Sequence, residues 1–322
     1  MSLANMKVFN SYLKGTTIET LAQMVDKFNA ASRGGITLTT QGVDGDFLQE
    51  AFFANLGAAQ RRVDRYAAQA DETPTDLSQL EMVSVKVAGA FGPVRFEPSQ
   101  MTYMLQSPEL AIEMISRNLA EAIMQDQLNT AIACAVAAIK ENTDLNVVFA
   151  DSATEPSHFD LNASHALFGD HSGLIVADVM DGTSYHAIIG QNITNTENLY
   201  ESSGVQVVDL LGKAIVVTDA PALRIAGTGN QTSVLSLVAG GAVISDGSDL
   251  VTNISTTNGQ TRIETSMQAD YAFVAGLKGY AWDVANGGKS PTDAELATGT
   301  NWDVVATSNK HTAGTRCYYE NP

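Results

Sequence analysis

The chain has 322 residues, 44% of them hydrophobic, enough to bury one large core or two medium ones. Thirty-six acidic residues against eighteen basic ones give a formal net charge of −18, and the excess is concentrated: residues 1–140 hold 11 basic and 15 acidic groups, residues 141–322 hold 7 and 21. Proteins that grip nucleic acid neutralise phosphates with clustered Lys and Arg, so this balance excludes a phosphate-binding surface over the second half.

Residues 7–31 place Val8, Tyr12, Ile18, Leu21, Val25 and Phe28 at a loose helical spacing, closed by Arg33-Gly34-Gly35. Ile36–Thr40 is a short strand candidate and Gln41–Asp46 a turn. Phe47–Tyr66 reads as a helix, with Phe47, Leu48, Ala51, Phe52 and Leu56 on one side. The cluster Arg61-Arg62-x-x-Arg65 is interrupted by Asp64, which favours a salt-bridged face over a nucleic-acid footprint.

A polar stretch, Ala67–Asp76, leads into the alternating run Leu80–Val87. A turn at Gly89–Pro93 follows, then Val94-x-Phe96 and a stop at Pro98. The pattern predicts a two-stranded hairpin with too little apolar surface to stand alone, and such hairpins are marginal in water. Ser107-Pro108-Glu109 is a helix start: a capping serine, proline at the first helical position and an acid at the positive end of the dipole. Ile112, Ile115, Leu119, Ile123, Ile132 and Ile139 sustain helical spacing to Lys140 without glycine or proline. The resulting rod over 107–140 is on the order of 50 Å long.

Beyond Asn142 the texture changes to short strands and small helices. Leu174–Val179, Val205–Leu210, Ser233–Val238 and Thr261–Thr265 read as strands, and Tyr271–Asp283 as a longer one. Asp181 is a good cap for a helix over Thr183–Ile189. Ala214–Val217 is a continuous apolar run closed by Thr218, Asp219 and Pro221, the pattern of a strand buried on both faces.

No chemistry stands out. His158, His165 and His171 are spaced by seven and six residues, which matches no common ligand pattern. Gly288-Lys289-Ser290 imitates the end of a P-loop, but Asp283 occupies the first glycine's place and Pro291 biases Ser290 away from helix. Cys134 and Cys317, with no CxxC, form no disulfide framework and suit a reducing compartment. Trp282 and Trp302 read as core residues. No apolar run approaches the ~20 residues of a membrane span, and the opening MSLANMKVFNSYLKG has no secretory cleavage pattern. The expectation is no catalytic residue, no metal site, no cofactor and no membrane partner.

Five segments taken together carry a family resemblance. They are FGDHSGLIVADVMDGTSYHAII (Phe168–Ile189), LGKAIVVTDAP (Leu211–Pro221), TSVLSLVAGGAVISDG (Thr232–Gly247), GLKGYAWD (Gly276–Asp283) and SPTDAELATGTNW (Ser290–Trp302). In this order and spacing they resemble the C-terminal two-thirds of tailed-bacteriophage major capsid proteins, the shell fold named after phage Hong Kong ninety-seven, over roughly Phe168 to Tyr319. The resemblance implies an α+β fold in four parts. These are an N-terminal arm at 1–56, an extended hairpin loop at 57–100, a peripheral domain at 101–156 and 249–322 built on the spine helix 107–140, and an axial domain at 157–248. It implies self-assembly into an icosahedral head enclosing double-stranded DNA, with the hairpin lying on a neighbouring subunit. Arg61, Arg62, Arg65, Lys86 and Arg95 then become candidate intersubunit contacts.

The implied partners are the chain itself, as hexamers and pentamers, together with a portal, a decoration protein and packaged DNA held without sequence-specific contacts. Because the recognisable arm begins almost at Met1, a separate scaffolding protein is expected. The implied location is the virion, after assembly in the host bacterial cytoplasm. Lys86 is the only lysine in the hairpin, yet no motif identifies a crosslinking partner, so the covalent crosslink of some relatives is not carried over. The alternatives are an encapsulin-like nanocompartment shell of the same fold and a β-rich surface adhesin or tail-fibre protein.

Overall fold

The computed structural model describes residues 3–39, 45–53, 60–69, 71, 74, 76, 79–96, 108–150, 155–194, 213–225, 231–247, 249–259, 261 and 263–320. Helix α1 (Leu3–Ala31) ends where Arg33 and Gly34 take φ of 50° and 75°, which turns the chain into strand β1 (Ile36–Thr39). Leu13, Val25, Ile36 and Leu38 are buried, so the segment expected as an arm at 1–56 is integral to the body from Leu13 through β1.

Over its described residues the segment predicted as a helix, Phe47–Tyr66, is not helical; residues 54–59 lie outside the described ones. Phe47–Phe53 forms strand β2, paired residue for residue with strand β3 (Gln79–Phe96) from Phe47↔Val85 to Phe53↔Gln79, and residues 60–69 are irregular. The spacing of Phe47, Leu48, Ala51 and Phe52 fits a helix face, but backbone pairing with β3 overrides it. The predicted hairpin is also corrected. β3 runs unbroken through Gly89–Pro93, because Gly92 and Pro93 together lie opposite the single residue Gln268 as a β-bulge. A Cβ on Gly89 would sit 2.6 Å from the Tyr271 ring, so glycine there admits an aromatic crossing rather than a chain reversal. β2 pairs with the first half of β3, Gln79–Val85, and β11 (Glu264–Leu277) with its second, Val85–Phe96.

The first sheet has the order β1-β9-β11-β3-β2, where β9 is Ala242–Asp246. The 14-residue β11 is its hub, pairing on one side with β3 and on the other with β10 (Val251–Thr257) and then β9. The predicted strand Tyr271–Asp283 is divided: β11 ends at Leu277, Gly279 reverses the chain at φ 79°, and β12 (Tyr280–Trp282) pairs with β13 (Trp302–Val304). Trp282 and Trp302 pack edge to face, ring centroids 5.0 Å apart, inside the core.

The second sheet has the order β4-β14-β8-β5-β6, with β4 Asn146–Val148, β5 Ile175–Met180, β6 Ala214–Val217, β8 Gln231–Val238 and β14 Gly314–Glu320; β7 (Arg224–Ile225) pairs onto β8. Every residue of β8 is buried. Among the described residues β6 stands at one end of the sheet, paired with β5, and Val217 is 46% exposed, so the run is not buried on both faces. Helices α3 (His158–Ala166) and α4 (Gly182–Thr194) add Leu161 and Ile188 to a cluster with Phe149, Met180, Val234 and Cys317. Asp181 caps α4 as expected, accepting from the Ser184 N–H at 3.2 Å. Predicted strand Val205–Leu210 and the cap Ser107 lie outside the described residues.

The spine helix α2 (Pro108–Glu141) joins the two sheets. Ile132, Ala135, Ala138 and Ile139 are fully buried, in one cluster with Leu38, Val85 and Phe273 of the first sheet and Val179, Leu235 and Leu237 of the second. Small residues let both sheets approach the rod closely. Its stretch Glu113–Glu141 is long and apolar enough to cross a membrane, contrary to the reading of the runs alone, yet 61% of its apolar window is buried inside the protein, as for a core helix. The helix stops where the Asn146 amide donates to the carbonyls of Ile139 (2.8 Å) and Asn142 (2.7 Å), satisfying acceptors the last turn leaves open.

Candidate assembly surfaces

A described segment between β2 and β3 is exposed throughout. Residues 60–69 are all exposed, including Arg61, Arg62 and Arg65. Val63 is 65% exposed and Tyr66 fully so. The local order comes from an Asx turn, the Asp64 carboxylate accepting from the Tyr66 N–H at 2.9 Å. Asp64 thus shapes the backbone of a stretch whose arginines, valine and tyrosine are exposed.

Lys86 and Arg95 are placed differently from the arginine cluster. Both lie on β3 and are engaged by their own chain, Lys86 with Asp249, and Arg95 with Glu264 at 3.0 Å. The same holds for Lys289 with Asp46 (2.8 Å) and for Lys310 with Asp170. Several cations of the body thus pair with its own acids. Lys289 of the apparent P-loop is one of these, and Ser290 beside it sits at φ 49°.

Sequence reasoning missed an ionic staple in the second sheet. Arg224 donates to Asp181 at 2.6 Å and to Glu155 at 2.8 Å, tying β7 to the start of α4 and to the segment before α3. Burial alone would raise the Asp181 carboxyl, but hydrogen bonds from Arg224 and Ser184 and the guanidinium charge outweigh it and hold the group below its ordinary range. Residues 69 and 43 apart in sequence carry no local signal of this. The three clustered histidines diverge: His165 meets buried Asp178 at 2.9 Å, and His171 packs against His311. Among the described residues, no three His, Cys, Asp or Glu side chains converge to hold a metal.

The arrangement is that of a subunit with extended surfaces, and comparison with known proteins agrees. The capsid asymmetric unit of cyanophage Pam1 aligns with a TM-score of 0.52 at 12% identity, covering 87% of this chain and 88% of that one. A chain from Mycobacterium phage Bobi aligns at 0.49 with 11% identity over 87% of each chain. The capsid of cyanophage P-SCSP1u aligns at 0.44 with 14% identity, over 76% of this chain and 84% of that one. At such identity the Pam1 match shows a shared fold. No curated protein sequence matches the chain. The family model Gp13-like, described as major capsid protein 13-like, matches residues 5–316, so the chain belongs to that family and is a major capsid protein of tailed phages, a structural component of the virion.

Proposed function

We propose that this subunit builds an icosahedral head around double-stranded DNA, and that the exposed segment 60–69 is the contact it lays on a neighbouring subunit. A capsid protein self-associates into capsomers. What supports the finer reading is the exposure of this one segment, which presents Arg62, Val63, Arg65 and Tyr66 at the surface, while Lys86 and Arg95 at its base pair with acids of their own chain. Lys86 and Arg95 act in this reading as braces that hold β3, the base of the loop, to β11 and Asp249. The loop itself is redrawn as the segment between β2 and β3.

The division into a peripheral part (101–156 and 249–322) and an axial part (157–248) is retained with one qualification. The second sheet draws β5, β6 and β8 from the axial range but β4 and β14 from the peripheral one, so the two parts share a sheet. Hexamers and pentamers, a separate scaffolding protein, a portal and a decoration protein are the partners of this reading, with assembly in the host cytoplasm and no catalytic role. A net charge of −18 fits a wall that encloses DNA without adhering to it. The test is negative-stain microscopy of the protein co-expressed with its scaffold. Uniform hollow particles are expected from the wild type. Arg61→Glu/Arg62→Glu/Arg65→Glu is expected to yield folded, unassembled subunits with an unchanged urea midpoint. Particles at wild-type yield from that variant would overturn the assignment.

A further inference from the structure

An asparagine or aspartate followed by glycine carries a latent reaction. The glycine backbone nitrogen, with no Cβ to hinder its approach, attacks the side-chain carbonyl carbon and closes a five-membered succinimide. From asparagine the leaving group is ammonia. Water then opens the ring, giving either aspartate or isoaspartate, whose main chain runs through the former side-chain carbon. The attack requires that the glycine N–H be free of hydrogen bonds and that the backbone can turn the nitrogen onto the side chain.

Four such steps have both residues described, and the fold locks three of them. At Asp181-Gly182 the glycine N–H donates to the Asp219 carboxylate at 3.1 Å. At Asp246-Gly247 it donates to the Ala272 carbonyl at 2.9 Å, in packing so close that a Cβ on the glycine would sit 2.5 Å from that oxygen. At Asn286-Gly287 it donates to the Asp283 carbonyl at 2.8 Å, inside a short helix, Val284–Gly287. Asn286 is held twice more, its backbone N–H donating to one carboxylate oxygen of Asp283 and its side-chain amide to the other. The fourth step, Asn258-Gly259, differs on every count. It lies beyond Thr257↔Glu264, the last cross-strand pair of the β10–β11 hairpin, and both residues are exposed. Gly259 has φ of 87°, with nothing within 4 Å of the place a Cβ would take. Among the described residues no group accepts from its N–H.

We propose that Asn258 is a site of spontaneous deamidation in the folded subunit, and that the fold protects Asn286. The Gly259 nitrogen displaces ammonia from the Asn258 side chain, and water completes the conversion to aspartate and isoaspartate. The rate rises with pH, because the attacking amide nitrogen must first lose its proton. The product places a carboxylate near Glu264, which already holds Arg95 at 3.0 Å, and takes the formal net charge of −18 one unit further negative. Since the ammonia is lost for good, the converted fraction grows with the age of the subunit. None of this depends on the reading of segment 60–69.

The test compares the two Asn-Gly steps in the purified full-length chain. Hydroxylamine traps the succinimide and cleaves the main chain there. Under native, mildly alkaline conditions it should cut after residue 258 and leave the bond after residue 286 intact, whereas in concentrated urea it should cut at both. Without hydroxylamine, peptide mass mapping of the aged native protein should show Asn258 converting at least about tenfold faster than Asn286, the scale set by opening one hydrogen-bonded amide. Methyl transfer from S-adenosylmethionine by an isoaspartyl methyltransferase should label the aged wild type and not Asn258→Gln, whose urea midpoint should match that of the wild type. Equal rates at Asn258 and Asn286 in the native chain would overturn the proposal. So would an Asn258 that stays intact when folded and converts only in urea.

Discussion

Replacing Arg224 by Met keeps most of the aliphatic bulk and removes the guanidinium that bridges Asp181 and Glu155 at 2.6 and 2.8 Å. The side chain of Asp181 is only 6% exposed, whereas those of Arg224 and Glu155 are 34% and 28% exposed. The pair therefore lies between two limits: exposed ion pairs contribute about 0–1 kcal/mol, and stranding one partner of a fully buried pair costs about 3–5 kcal/mol. A loss of about 2 kcal/mol at pH 7 is expected. With an unfolding entropy of about 2.1 cal/mol/K per residue, that corresponds to about 3 °C in Tm for a chain of this length. The pH dependence separates this from a packing defect. In the wild type the folded Asp181 carboxyl titrates below its ordinary value of 3.8, so its stabilisation is present above that pH and is lost as pH falls through the folded value. In the variant the guanidinium's contributions are gone while burial and the Ser184 hydrogen bonds remain, so the carboxyl takes up a proton more readily than in the wild type and the penalty is relieved as it does. Urea midpoints of the two proteins should thus lie further apart at pH 7 than at pH 3. No difference at pH 7, or a gap that does not narrow with acid, would refute the reasoning.

Two further outcomes follow from packing. A Cβ at Gly314 would lie 2.2 Å from the Ser236 carbonyl oxygen in the β14–β8 pair, so Gly314→Ala should cost at least about 1–3 kcal/mol by urea unfolding; a wild-type midpoint would contradict that register. Cys134 and Cys317 are buried, and burial pushes both thiols up, so neither should react with a thiol-specific chromogen at pH 8 until urea unfolds the chain. Stoichiometric labelling of the native protein would show that the cluster around Cys317 or the buried face of α2 is open.

What the sequence makes legible is what the chain decides locally. The spine helix was readable because Pro108 and the uninterrupted spacing to Ile139 are local facts, and α4 because Asp181, the residue just before it, caps its first turn. The errors share one physical cause. Phe47–Phe53 carries a helical spacing of apolar groups, Gly89–Pro93 carries turn residues, and Ala214–Val217 carries an unbroken apolar run. The first two are overruled by a strand partner, β3 for one and the single opposing residue Gln268 for the other, and the third pairs with β5 alone among the described residues. A strand's fate is set by what lies beside it, often more than a hundred residues away, as with Arg95 and Glu264. The same logic extends to the segment around Arg61–Tyr66. Its arginines are visible in the sequence, and their part as intersubunit contacts comes from the family resemblance alone, because no pattern within one chain identifies the surface they would meet. A capsid subunit pushes this to its limit: the residues hardest to read from one chain are those whose partner belongs to the next.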